Sequence, residues 1–125
     1  MSGALRGWGP ALLWAAVIFY LSSRHRVPVP DITGADKVCH FGAYALLGFL
    51  LAHGARRSGL GSAWAPVLGS LYGASDEFHQ SFVPGRSSDP ADWAADTLGA
   101  LTGAFLYSRF ANRRGWSHAP APSEP

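Results

Sequence analysis

The chain has 125 residues, which is enough for one domain. Charged residues make up only 14% of it, against about 25% in a typical soluble protein. The net charge of +2 is too small to suggest nucleic acid, and the basic residues lie beside apolar segments rather than forming a stripe. A single cysteine, Cys39, excludes an internal disulfide; it falls in an apolar segment, so a small buried hydrophobe is expected there. Fifteen glycines, five tryptophans and seven phenylalanines suit membrane helices better than a solvated surface.

Four apolar segments follow one another, at residues 7–21, 38–53, 60–75 and 91–108. Each is slightly short of the roughly 20 residues that span a bilayer squarely, and polar flanks extend each one towards the headgroups. A soluble bundle would carry charges every turn on an outward face. Residues 41–52, 60–74 and 97–107 carry none. The expectation is an all-α integral membrane bundle of four short transmembrane helices over 1–110, with a disordered cytoplasmic tail over 111–125. The first segment has the length of a signal-peptide core, but no small-x-small cleavage site follows it, so it is read as a helix.

Basic residues set the topology. Four helices put the N-terminus, the 54–59 loop and the C-terminus on one side, with Arg6, Arg56, Arg57, Arg109, Arg113 and Arg114 against the distal Glu124. The other side holds Arg24, Arg26, Lys37 and Arg86 among seven acids. The positive-inside rule then places both termini in the cytoplasm of a multi-pass cell-membrane protein. Trp8, Trp64 and Tyr107 are expected at the inner interface, Tyr20 and Trp93 at the outer one.

The acids concentrate in ASDEFHQSFVPGRSSDPADWAAD, residues 74–96, around a single Arg86. Some have plain structural roles open to them. Thr33 and Asp36 have capping-box spacing, and Asp89-Pro90-x-Asp92 fits an N-cap, a proline at N1 and an acid in the first turn. Asp89 is best read as that N-cap. Asp96 lies one turn deeper, on a stripe with Asp92, Gly99 and Gly103 whose glycines admit a neighbouring helix. A second stripe joins Asp36, His40, Ala43 and Leu47, with Tyr44 at its edge. A third joins Tyr72, Asp76 and Gln80, and Glu77 points about 100° away from Asp76, so at most one of these two acids aims at the bundle centre. His40 is either a satisfied core histidine or a functional one; His79, off its stripe, reads as interfacial; His25, His53 and His118 carry no signal. Arg86 and Lys37 would either neutralise the acids or hold an anionic ligand.

At these residues the chain resembles the VanZ-like family of small membrane proteins, over roughly residues 14–107. IFYLSS (18–23), DKVCHFGAYALLG (36–48), DEFHQSFVPGR (76–86) and DWAADTLGALTG (92–103) carry the likeness in order. The resemblance implies a polar set at Asp36, Lys37, His40, Tyr44, Asp76, Glu77, Gln80, Arg86, Asp92 and Asp96, with asparagine common in the family at the last position. It also implies a link to glycopeptide resistance, since the family takes its name from a component of glycopeptide resistance clusters associated with lowered sensitivity to teicoplanin. The leading functional reading is binding of an anionic headgroup, on a membrane lipid or a lipid-linked cell-wall precursor, or of the glycopeptide itself. The N-termini of helices 2 and 4 favour phosphate, and a divalent cation would bridge it to the acids, with Asp76, Glu77 and Asp92 as its candidate ligands. The alternatives are a metal-dependent membrane hydrolase acting on a lipid-linked phosphate, for which no standard catalytic motif is present, and a structural polar network with no ligand. Transport ranks lower, because the charges lie at one end rather than at the midplane.

Overall fold

A computed structural model describes residues 3–24, 34–85 and 88–113. These residues form four helices and no strand: α1 (Gly3–Ser22), α2 (Ala35–Arg57), α3 (Trp64–Gln80) and α4 (Pro90–Arg113). The helix number matches the sequence reading, and the bounds differ where charge meets helix. α2 runs three residues earlier and four later than its apolar run, because Asp36 complements its N-terminal dipole and Arg56 and Arg57 its C-terminal one. Ser58 then closes the helix and Gly59, at φ 79°, turns the chain away. α3 starts four residues late and carries on through Gln80, so Asp76 and Glu77 are helical. α4 continues to Arg113, past the expected start of the tail, of which 114–125 lie outside the described residues.

The helices run up-down-up-down, with α2 at the centre touching the other three, while α1 and α4 flank it without packing on each other among the described residues. α2 and α4 are parallel and closest. A Cβ on Gly99 would collide with the backbone carbonyl of Phe41, one on Gly103 with that of Ala45, and one on Gly48 with that of Ala100. Only glycine at these places lets the two backbones meet, as the small-residue stripe on α4 anticipates. On the other flank, Trp14 Nε1 donates to Ala43 O at 2.8 Å and Tyr72 Oη to Ala15 O at 2.6 Å, pinning α1 to α2 and α3. Two small clusters make the core: Ala52, Ala65, Ala104, Tyr107 and Ala111 near one end, and Ile18, Tyr44 and Leu47 near the other.

The outer surface of all four helices is apolar, with Leu13, Phe19, Val38, Leu71, Leu98 and Phe105 all exposed. By length and composition two helices, α1 and α2, can cross a membrane. α3 has only 17 residues, and α4 carries acids in its first two turns and arginines towards its end, which dilute its apolar middle. One interior expectation is corrected. Cys39 is exposed, because it lies about 100° around α2 from His40 and outside the packed faces. Tyr107 is buried among the helices, packed edge-on against Phe49 at 5.1 Å.

Candidate functional site

The C-terminal ends of α1 and α3 and the N-terminal ends of α2 and α4 meet at one end of the bundle. Nine of the ten polar residues singled out above are described there, and Arg86 lies outside the described residues. Two parallel helix N-termini at this end favour negative charge, and carboxylates collect beside them.

Lys37 forms the outer layer. Its Nζ lies 2.9 Å from Asp36 Oδ2, 2.8 Å from Asp89 Oδ2 and 2.7 Å from Asp92 Oδ1, tying α2 to the start of α4. The contact to Asp92 Oδ1 is ionic only, since that oxygen lacks a hydrogen bond of good angle. Asp36 is exposed at the rim. The expected capping box is not its role: Gly34, at φ 86°, occupies the N-cap without any side-chain bond, and Thr33 lies outside the described residues. Asp89 is the N-cap expected for α4, its Oδ1 accepting from Ala91 N at 2.9 Å. The Lys37 ammonium beside it holds the Asp89 carboxyl below the usual carboxylate range.

The inner layer centres on His40. Its Nδ1 lies 2.8 Å from Oδ1 of Asp96, which is fully buried, and its Nε2 lies 3.7 Å from Asp92 Oδ2. Glu77 and Asp76 are both buried, against the expectation that only one would face inward. The end of α3 is covered on two sides. Asp76 turns to α2, where Tyr44 Oη donates to its Oδ2 at 3.3 Å, and Glu77 turns to α4, where its Oε2 accepts from Asp89 N at 3.0 Å. One donor atom each from His40, Glu77 and Asp96 lies within 4.8 Å of the others. Of the three residues read from sequence as metal ligands, only Glu77 belongs to this group. Asp92 is drawn off by Lys37, and Asp76 faces Tyr44.

Beside His40 a pocket of about 150 Å³ opens between α1, α2 and α3. Its polar lining comes from His40, Tyr44, Asp76 and Gln80, with Asp36 at the rim and Ser22 across from them; its apolar lining comes from Ile18, Leu21, Cys39 and Ala43. Ser22 and Ile18 were not among the expected site residues, although both stand in the IFYLSS stretch. His79 bridges α3 to α1 at this end, its Nε2 3.0 Å from Ser23 Oγ and its ring 4.8 Å from that of Phe19.

Residues 8–111, nearly the whole described bundle and the whole of this site, match the VanZ/LLP1 family. The chain belongs to that family. No curated relative and no solved structure matches it. The VanZ/LLP1 assignment and the two apolar helices together point to a membrane protein. Nine of the ten polar residues that carried the VanZ-like resemblance crowd this end of the bundle, and the tenth, Arg86, lies outside the described residues.

Proposed function

We propose that this VanZ-family protein crosses the membrane with all four helices and keeps both termini in the cytoplasm. Its polar end then sits at the outer leaflet and binds an anionic headgroup, on a membrane lipid or a lipid-linked cell-envelope precursor. The observation that carries this reading is the pocket. Its lining is mixed: Ile18, Leu21, Cys39 and Ala43 are apolar, and Ser22, Asp36, His40, Tyr44, Asp76 and Gln80 are polar. A cavity of such mixed lining suits an amphipathic ligand, with an apolar chain against the first group and a head against the second. The apolar outer face of α3 and α4 supports four spans rather than two, since Leu71, Leu98 and Phe105 would otherwise stand in water. The family's association with teicoplanin resistance makes a cell-wall precursor one source of such a headgroup.

The three ion pairs of Lys37 favour a second reading, in which the polar groups serve only to lock α2 against α4. Thermal unfolding of the detergent-purified chain separates the two. Under the binding reading, phosphatidylglycerol raises the midpoint more than phosphatidylcholine does. Arg86→Ala loses that response while keeping a cooperative transition, because it removes a cation that would meet the headgroup. Equal responses to the two lipids contradict binding. So does an Arg86→Ala midpoint that falls without lipid and is restored by Asp92→Asn, which is the pattern of a structural network.

A further inference from the structure

We infer that His40, Glu77 and Asp96 form a binding site for a divalent transition-metal ion, with Mn²⁺ the best match to the donor set. Three separate helices, α2, α3 and α4, each contribute one ligand, and one donor atom from each lies within 4.8 Å of the others. Ligands about 2.1 Å from a shared ion stand at most about 4.2 Å apart, so a gap of 4.8 Å must close by at least about 0.6 Å for the site to form. Side-chain rotation covers that distance.

The independent observation is an unmet demand for positive charge. Glu77 and Asp96 are 6% and 0% exposed, and each keeps one oxygen, Oε1 and Oδ2, with no hydrogen-bond partner among the described residues. Buried carboxylate oxygens left this way cost free energy unless a proton or a cation meets them. Lys37 does not fill that role, because Asp36, Asp89 and Asp92 already surround it. A divalent ion cancels both carboxylate charges at once.

The donor set selects the ion. An imidazole beside two carboxylates is softer than the all-oxygen cages of Mg²⁺ and Ca²⁺, and harder than the thiolate sites of structural Zn²⁺. His40 Nδ1 and Asp96 Oδ1 are 2.8 Å apart. At that spacing the two groups share a proton in the metal-free protein, and a bound ion would take its place. Of the three ligands, His40 lines the pocket, while Glu77 and Asp96 lie behind it. The site is independent of the headgroup reading, although a bound ion would give a phosphate a positive partner among the acids.

The test uses tag-free, chelator-stripped protein in detergent without lipid, titrated with Mn²⁺ and followed by the loss of the free-ion electron paramagnetic resonance signal. The expected result is one ion per chain and a higher unfolding midpoint, with Zn²⁺ competing for the same site and Mg²⁺ and Ca²⁺ failing to compete at equal concentration. Glu77→Gln and Asp96→Asn are each expected to weaken Mn²⁺ binding at least tenfold while the metal-free protein keeps its cooperative transition; His40→Ala serves if either fails to fold. Absence of Mn²⁺ binding to the wild type overturns the site, and so does binding that neither variant alters. A protein that binds Mn²⁺ but ignores phosphatidylglycerol keeps the metal site and loses the headgroup reading, and the converse keeps the headgroup and loses the metal.

Discussion

At one end of the bundle, His53 Nδ1 lies 3.2 Å from the hydroxyl of Tyr107, within a cluster built from Ala52, Ala65, Ala104 and Ala111. At the other end, six acids crowd around Lys37 and His40, three of them tied to the ammonium and three set deeper in the helices. Both ends join the same α2 and α4. The first end holds them with alanines, the packed rings of Tyr107 and Phe49, and one hydrogen bond between neutral groups. Packing these helices therefore needs no buried carboxylate. Charges kept at the second end, where each buried ion carries a desolvation penalty of several kcal/mol, point to a role other than closing the bundle. The helix N-termini at that end offset part of the penalty, and Lys37 offsets another part.

The largest expected effect breaks what the two ends share. Gly103→Leu should cost about 3 kcal/mol or more, because even its Cβ would overlap the Ala45 carbonyl and force α2 from α4. Loss of the cooperative unfolding transition in detergent is the expected reading, and a wild-type midpoint would refute the close crossing. Lys37→Met strikes the polar end alone. It leaves Asp36, Asp89 and Asp92 without their cation and should cost about 1–2 kcal/mol, a value reduced for screening because the lysine side chain is 35% exposed. Adding Asp92→Asn should return much of that loss, as a double-mutant cycle in the same assay would reveal. Tyr107→Phe strikes the opposite end. It removes the bond to His53 and should cost about 1 kcal/mol, leaving any response to lipid or Mn²⁺ at its wild-type level.

The polar end was more legible in the sequence than the neutral one, for a physical reason. Charges in an apolar chain stand out singly, and the 3.6-residue period fixes the face each one shares, so Asp92, Asp96, Gly99 and Gly103 could be placed inward before any contact was known. His53 and Tyr107 are 54 residues apart, and nothing local in either segment announces their bond. Apolar runs located all four helices but not their ends. A run stops at the first charge, whereas a helix continues while its terminal charges suit the dipole, as with Arg56 and Arg57 in α2 and Arg113 in α4. The misjudged pair at Asp76 and Glu77 has a different origin. A wheel drawn for α3 assumes one inward face, and its end lies in a groove with two, one against Tyr44 and one against Asp89. The candidate ligands differ from Asp76, Glu77 and Asp92 because Asp76 faces Tyr44 and Lys37 draws Asp92 away, which leaves Glu77 beside His40 and Asp96.

If the buried acids at the polar end serve binding rather than stability, Glu77→Gln should separate the two. The amide keeps an oxygen to accept from Asp89 N, so the cap on α4 survives and only the buried charge is removed. Thermal unfolding in detergent should put the variant within about 0.5 kcal/mol of the wild type or above it, while its midpoint no longer rises with Mn²⁺. A Glu77→Gln protein destabilised as much as Lys37→Met, with its Mn²⁺ response intact, would contradict the account.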